Sequence, residues 1–395
     1  MAQPFDARRL QLTGEPFPVA DQLTVTGTES KGAFSVSQTG VLTYSSGPNM
    51  RELVWFNRAG QELGRVGAQD AYDLPSLSPD GNTVAVQNLN PLFGPADVWR
   101  LDVSCGTRSR FTSDPAWTDA HIWSPDGSRI VFSSPRNGNW DLYQKATSAT
   151  GQEEVLLQSN EGKFAHDWSP DGRFITYSTL PPEGGQVLWV LPLFGDRQPM
   201  RFSGSKINAA YGSFSPNGRW LAYISDESGA HELEVYVRPF PASAGVWQVS
   251  RGGGGPPQWR RDGKELSYIA PDGKLMAVEV TTQGTFHAGT PKALFPVRGW
   301  GLWGPPAYSV TADGQRFLFA APPAEAASLT IRVVVNWPAV LGCINSTRSA
   351  DLRCSQVCGF NAAGPTEAKI QGHEVATRYR CLRVRAKRLT CCVPS

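Results

Sequence analysis

Short runs that alternate between apolar and polar side chains recur along this chain. Arg129-Ile130-Val131-Phe132 and Arg219-Trp220-Leu221-Ala222-Tyr223-Ile224 are two of them, and both have the composition of β-strands. Each run follows a tight turn that ends in glycine, and an aromatic residue or leucine stands before the turn. This pattern predicts pairs of antiparallel strands, each pair joined by a tight turn.

The turns recur at a nearly constant interval. In Ser124-Pro125-Asp126-Gly127, proline presets the first corner, the aspartate bonds back to the backbone, and glycine takes the left-handed position. The turns end at Gly40, Gly81, Gly127, Gly172, Gly218, Gly263 and Gly314, at steps of 41, 46, 45, 46, 45 and 51 residues. Third strands are predicted from Asp97, Asp141 and Glu234, and fourth strands near Phe111, Leu157, Phe202 and Val249. Four strands in about 45 residues are typical of one blade of a β-propeller.

We therefore predict an all-β fold, a β-propeller of four-stranded antiparallel blades. The repeat favours seven blades, and six or eight stay open because the closure is ambiguous. The blades are expected at about 32–67, 72–117, 118–162, 164–208, 209–254, 255–301 and 305–341. The last of these offers only three strands, so a strand from residues 1–20 is expected to complete it and close the ring.

The last 54 residues differ from the rest of the chain. Residues 342–395 carry nine Lys/Arg against three Asp/Glu and six of the seven cysteines, so we expect a disordered or non-native Cys/Arg-rich tail after the propeller of 1–341. The remainder is mildly acidic, which argues against a nucleic-acid surface. No run approaches the eighteen apolar residues of a membrane span, and the start lacks the pattern of a signal peptide.

The repeat resembles the WD-like propeller repeat of TolB and its relatives over about residues 1–341. Several strings are also similar to the C-terminal propeller of bacterial receptor-type serine/threonine protein kinases: Ala2-Gln3-Pro4-Phe5-Asp6, Ser225-Asp226-Glu227-Ser228-Gly229, Val237-Arg238-Pro239-Phe240-Pro241, Trp247-Gln248-Val249-Ser250, Trp259-Arg260-Arg261-Asp262-Gly263-Lys264-Glu265-Leu266 and Val334-Val335-Asn336-Trp337. That resemblance implies a bacterial signalling protein, with this chain as its sensor or partner-binding module on the periplasmic or extracytoplasmic side.

The motifs of catalysis are absent from the sequence. It has no Gly-rich loop, H-R-D or D-F-G string of a kinase, and no G-x-S-x-G elbow of a serine hydrolase. We therefore expect a binding or sensing module and no enzyme activity or cofactor. Two alternatives stay open: a TolB-like periplasmic scaffold, and a stand-alone propeller hydrolase or lyase with a metal near His121 and His166.

The metal alternative rests on two histidines in register. His121 and His166 each stand two residues before the motif tryptophan, with Asp119 and Asp167 nearby. Metal sites usually take three or four ligands of this kind. Two histidines fall short of that number, so we predict no metal and expect hydrogen-bonded strand-end histidines.

The second turns of the blades and the links between blades are expected to form the binding face, because they are long and varied. The candidate binding residues on this face are Phe93, Trp117, Asp119, His121, Arg136, Asn139, Trp140, Lys163, His166, His231, Trp300 and Trp303. A protein or peptide ligand is favoured, since no titratable cluster stands out. We expect the module to be a monomer.

Overall fold

The computed structural model describes most of residues 50–323. The gaps in that range are residues 90–95, 149–150, 183, 205–206, 230–231 and 298–307. Outside it, the structure describes residues 3, 5–6, 8–16, 25–26, 31–32, 34–37, 39–45, 329–334, 358–362, 381–382 and 391–392. The chain divides into two compact units, residues 50–323 and residues 1–49 with 324–395.

All regular elements of the described residues are β-strands, as predicted. In residues 50–323 they form six antiparallel sheets, which we number I to VI. Sheet I contains Arg51–Asn57, Glu62–Asp70, Tyr308–Val310 and Arg316–Ala321. Sheet II contains Tyr72–Leu77, Thr83–Asn88, Asp97–Asp102 and Arg108–Arg110. Sheet III contains Asp119–Trp123, Arg129–Ser134, Asp141–Ala146 and Glu153–Leu157.

Sheets IV and V repeat the strand order of sheet III, and sheet VI has a fifth strand. Sheet IV contains Lys163–Trp168, Phe174–Thr179, Val187–Pro192 and Met200–Arg201. Sheet V contains Ala209–Phe214, Trp220–Ser225, Glu234–Pro239 and Trp247–Gln248. Sheet VI contains Gln258–Trp259, Glu265–Ile269, Lys274–Thr281, His287–Ala288 and Lys292–Pro296.

Hydrogen bonds join each sheet to the next and the last to the first. They run from Leu77 N to Ser309 Oγ, Trp123 Nε1 to Ser76 O, Ala165 N to Ser133 Oγ, Thr176 Oγ1 to Gly212 O, Trp259 Nε1 to Ser213 O, and Gln258 Nε2 to Tyr308 O. Each apolar core cluster of this unit also lies between two neighbouring sheets. The six sheets of residues 50–323 therefore pack face to face in a closed circle, which is the architecture of a β-propeller.

The closing sheet corrects the predicted ring closure. Strand Arg316–Ala321 pairs with Arg51–Asn57, with Leu318 opposite Trp55, so residues 51–70 complete this sheet. The described strands of residues 1–20, Phe5–Asp6 and Gln11–Leu12, pair with each other instead. Leu53 and Trp55 are buried in that position, whereas the described residues 8–16 are exposed. Burial of apolar side chains explains which segment closes the sheet.

Two other expectations change with the closure. The predicted first blade, 32–67, is divided, because its strands at Phe34–Val36 and Leu42–Ser45 pair in another sheet with Leu329–Val334 and Cys358–Ala362. The run after residue 328 is therefore no third strand of the closing blade. Seven blades are not confirmed, since the closed circle of residues 50–323 has six sheets.

The second unit contains short strands in its described residues. Besides the four-stranded sheet, it has three pairs: Phe5–Asp6 with Gln11–Leu12, Val25–Thr26 with Lys31–Gly32, and Cys381–Leu382 with Cys391–Cys392. The predicted disordered or non-native tail, residues 342–395, lies outside the described residues except at Cys358–Ala362, Cys381–Leu382 and Cys391–Cys392. In the part of the chain that the structure describes, there is no helix with the length and apolar character needed to cross a membrane.

The turn chemistry predicted from the sequence is confirmed. Gly127 has a φ of 71°, and the Asp126 carboxylate accepts hydrogen bonds from the Ser124 hydroxyl at 2.6 Å and the Ser128 amide at 3.0 Å. The Ser124 bond is the main cause that lowers the pKa of Asp126 to about 2. The first strands of sheets II to VI and Tyr308–Val310 of sheet I lie beside one another, and we call them the innermost or inner strands. The turns lie at one end of these strands, which we call the turn end. The chain enters each innermost strand at the other end, the entry end.

Candidate functional site

The innermost strands of sheets II to V share an irregularity near their entry ends. In sheet III, Asp119 pairs with Ser133, but the next pair is Ile122 with Val131, so one residue more lies on the inner strand. The same kind of register shift occurs in the other three inner strands, between Asp73 and Ser76, between Ala165 and Asp167, and between Ala210 and Ser213. β-Bulges of this kind redirect side chains and are common beside binding sites.

Three of these bulges place a residue other than glycine in the left-handed region. The φ angles are 50° for Leu74, 47° for Ala120 and 55° for Tyr211. Side chains with a Cβ adopt this conformation at a cost, and such strain is concentrated at functional sites. The entry end of the inner strands is therefore the first candidate for a site.

Two carboxylates from neighbouring sheets face this end. Asp73 Oδ1 lies 3.3 Å from Arg51 Nη1, and Asp119 accepts a hydrogen bond from the Ala120 amide at 2.7 Å. Removal from water raises the pKa of Asp119 to about 6, and the negative charge of Asp73 adds to that rise. Asp119 therefore changes its charge close to neutral pH.

His166 and Tyr211 meet at the same end, from sheets IV and V. Their ring centroids are 4.7 Å apart, and His166 Nε2 lies 2.9 Å from Ser178 Oγ. Burial lowers the pKa of His166 to about 3, so its imidazole is neutral at pH 7. Burial is also the main cause that raises the pKa of Tyr211, and the charge of Asp119 contributes.

We name Asp73, Asp119, His166 and Tyr211 the mouth cluster. Its members come from four consecutive sheets and are linked by ring contact or by charge. Together they offer carboxylate oxygens, one neutral imidazole and one phenol hydroxyl. This set suits hydrogen bonding to amide or ammonium groups of a ligand.

His121 lies beside this cluster but is packed between sheets. It is 6% exposed, and neither ring nitrogen has a hydrogen-bond partner among the described residues. Burial lowers its pKa to about 4. The nearby backbone groups of Ala85 and Leu74 raise the pKa, but by less than burial lowers it. The two histidines in register thus have different neighbours. The described residues contain no group of three or more His, Cys, Asp or Glu side chains that could hold a metal.

Asp167 serves the contact between sheets IV and V. Its carboxylate accepts hydrogen bonds from the Phe214 amide at 2.7 Å, the Trp168 amide at 2.8 Å and Ser213 Oγ at 3.2 Å. Burial nevertheless raises the pKa of Asp167 to about 6. This residue holds two sheets together and does not belong to the mouth cluster.

Several predicted binding residues are occupied within the sheets. Arg136 donates to Glu153 at 2.6 Å and covers the Tyr143 ring at 4.2 Å from its centroid. Lys163 is 1% exposed and pairs with Asp141. Arg136 is thus held within sheet III, whereas Lys163 joins sheet IV to sheet III, and neither side chain is free to bind a ligand.

Other predicted residues lie on open loops or outside the described range. Trp117 is 40% exposed just before the inner strand of sheet III, and Asn139 is exposed. Trp140 packs against Phe164 with ring centroids 5.3 Å apart. The predicted residues outside the described range are Phe93, His231, Trp300 and Trp303.

The sequence prediction missed Asp73 and Tyr211. Asp73 stands four residues before Leu77, as Asp119 stands four before Trp123, so comparison of the repeats could have found it. Tyr211 has no such signal, because the bulge that positions it is a property of the backbone.

No family model matches this chain. An uncharacterised protein of Agrobacterium fabrum is 26% identical over 212 residues, which are 49% of this chain and 68% of that protein. A solved structure assigned as TolB from Agrobacterium tumefaciens has a TM-score of 0.56 at 20% identity, over 68% of this chain and 97% of that chain. TolB of Acinetobacter baumannii has a TM-score of 0.48 at 22% identity, over 63% and 65%.

These likenesses concern the fold. The structural neighbours include TolB β-propellers, and the Agrobacterium tumefaciens structure shows that the β-propeller predicted from the repeat is the fold of this chain.

Proposed function

We propose that this chain is a binding propeller without catalytic activity, which holds a protein or peptide ligand at its mouth cluster. The observation that carries the proposal is the repeated bulge at the entry end of four consecutive inner strands. Leu74, Ala120 and Tyr211 adopt the left-handed conformation at a cost to folding, as residues at functional sites often do. A ligand that uses the side chains aimed by these bulges explains their cost.

The polar groups of the mouth cluster favour a peptide. Asp73 and Asp119 can accept from backbone amides or from a cationic side chain, and Tyr211 adds an aromatic surface. Trp117, with 40% of its side chain exposed beside Asp119, supplies an apolar contact. Aromatic side chains of this kind often anchor peptide ligands on rigid scaffolds.

The origin of the module is a further part of the proposal. The strings that resemble the propeller of receptor-type serine/threonine kinases support a sensor role in signalling, whereas the likeness to TolB supports a scaffold role equally well. A kinase domain encoded in the same frame upstream of Met1 would favour the sensor role. Genomic DNA that carries a separate, unrelated gene there would contradict it.

A peptide selection tests the binding role. Peptides displayed on phage are selected on the wild-type protein, and the affinity of the recovered peptides is then measured by calorimetry with variants. We expect Trp117→Ala and Asp119→Asn to weaken binding by about tenfold or more, as hot-spot residues do.

Matched controls lie at the turn end. Phe194→Ala removes another exposed aromatic side chain, and Asp171→Asn in the turn of sheet IV copies Asn217, which occupies the same place in the turn of sheet V. Both should leave the affinity within about twofold. Peptides that bind all four variants as they bind the wild-type protein would show that the mouth cluster is not the site.

A further inference from the structure

A groove lies at the turn end of the propeller, between sheets II and III. Its volume is about 400 Å³, and the side chains that matter for the argument are Asp80, Arg100, Trp123, Asp126, Thr147 and Arg261. This groove is separated from the mouth cluster by the length of the inner strands, so the inference does not depend on the function proposed above.

Arg100 occupies a position where the other sheets of residues 50–323 have uncharged residues. It stands opposite Ala85 of the second strand of sheet II. In each of the other five sheets, one residue lies opposite the equivalent position of the second strand. These residues are Trp55, Gln144, Val190, Val237 and Ala277. Among them Trp55, Val190, Val237 and Ala277 are buried, so the fold itself needs no charge there.

The guanidinium of Arg100 is only partly satisfied. Nη1 donates to Thr147 O at 2.7 Å, and the group lies 5.0 Å from the centroid of the Phe111 ring. Its Nε has no hydrogen-bond partner, and Arg100 makes no ion pair with any described residue. Burial lowers the pKa of Arg100, and no negative charge opposes that effect. A cation that is partly removed from water without a counter-ion is costly unless a ligand supplies the counter-ion.

Other lining groups define what the ligand must carry. Arg261 bonds to Pro79 O at 3.0 Å and, like Arg100, has no ion pair among the described residues. Hydrogen bonds from Ser78 and Ser124 lower the pKa values of Asp80 and Asp126, so both carboxylates are ionised at neutral pH. A dianion such as phosphate would be repelled by these two carboxylates, whereas a single carboxylate with nearby N–H donors matches both signs of charge.

We propose that this groove binds the carboxylate end of an amino acid or peptide. Arg100 takes the carboxylate, Arg261 strengthens the positive field, and Asp80 and Asp126 accept from the ammonium or amide groups of the same ligand. Trp123 and Pro79 give the groove an apolar wall.

Calorimetric titration of the full chain with defined probes tests the proposal. The probes are trialanine, trialanine amide, alanine and inorganic phosphate. Trialanine should bind about tenfold or more tightly than its amide, because a charge-assisted contact to Arg100 is lost in the amide. Tighter binding of alanine than of trialanine identifies a free amino acid as the ligand, and the reverse identifies a peptide C-terminus.

Arg100→Gln tests the assigned residue, because Gln144 shows that glutamine is accommodated at this position in sheet III. The variant should bind trialanine and its amide equally. Arg129→Gln is the matched control, since Arg129 lines the neighbouring groove between sheets III and IV. It should keep the wild-type preference for the acid.

Four results would overturn the proposal: no saturable binding of alanine or trialanine to the wild-type protein, equal binding of trialanine and its amide to that protein, tighter binding of phosphate than of alanine and trialanine, or an unchanged acid preference in Arg100→Gln. The comparison of acid with amide on the wild-type protein needs no variant. It keeps the test decisive even if Arg100→Gln fails to fold.

Discussion

Lys163 Nζ lies 2.8 Å from Asp141 Oδ1, and each of these two side chains is 1% exposed. The ammonium group also donates to Glu161 O at 2.7 Å, and Asp141 accepts from the Ser159 amide at 3.1 Å. The pair connects the start of the third strand of sheet III to the start of the first strand of sheet IV. It therefore fixes one blade against the next.

Loss of one partner should be costly. Lys163→Met leaves Asp141 buried without a counter-charge, and we expect the free energy of unfolding to fall by about 3–5 kcal/mol. Urea denaturation measures this change. Lys274→Met is the control, because Lys274 and Asp272 form a 2.7 Å pair with 48% and 54% exposed side chains and should matter little. Equal effects of the two substitutions would contradict the assigned role of Lys163.

The closing sheet gives a second prediction. Leu53 is 1% exposed in the core between sheets I and II, so Leu53→Ala should lower the free energy of unfolding by about 2–5 kcal/mol. Leu12, which lies in the segment first expected to close the ring, is 64% exposed. Leu12→Ala should therefore leave the urea midpoint unchanged. A larger effect of Leu12→Ala than of Leu53→Ala would return the closure to residues 1–20.

The repeat in the sequence was sufficient to predict the fold, because turn residues and strand patterns are local properties. It was not sufficient for the closure. The runs at Arg51–Asn57 and Leu329–Val334 both have strand chemistry, and the choice between them depends on partners more than 250 residues away. The turn at Gly40 fits the motif too, but its strands pair outside the closed circle.

The candidate site was predicted in part. Asp119 and His166 were found because they stand in register with the repeat. Lys163 was assigned to the binding face because it falls in the link between two predicted blades, while its counter-ion lies 22 residues away. The bulge at Ala120 could not be predicted, because neither glycine nor asparagine marks its left-handed backbone.

That backbone provides a third prediction. Ala120 has a φ of 47°, so Ala120→Gly removes the Cβ strain, and the entropy that glycine gains in the unfolded chain offsets part of the benefit. We expect a net gain of about 0.5–1 kcal/mol in the free energy of unfolding. Ala85→Gly, in the second strand of sheet II, where Ala85 pairs in regular register with Arg100 of the third strand, should instead destabilise the protein. Urea curves of the two variants decide, and a loss of stability in both would show that Ala120 is not strained.

The pH dependence of stability should separate His121 from Asp119. The pKa of His121 is about 4 in the folded protein and about 6.5 when unfolded, so its neutral form stabilises the fold above pH 6.5 and this contribution is lost as the pH falls towards 4. At about 1.4 kcal/mol per pH unit, the wild-type protein should lose about 2 kcal/mol relative to His121→Gln between pH 6.5 and 5. The pKa of Asp119 is raised to about 6, so the charged form weakens the fold as the pH rises from about 4 through 6. The wild-type protein should therefore lose stability relative to Asp119→Asn as the pH rises from 5 to 7, whereas it loses stability relative to His121→Gln as the pH falls. Urea denaturation of the three proteins at pH 5, 6 and 7 measures both differences, and parallel pH profiles for all three would contradict the burial assigned to these two side chains.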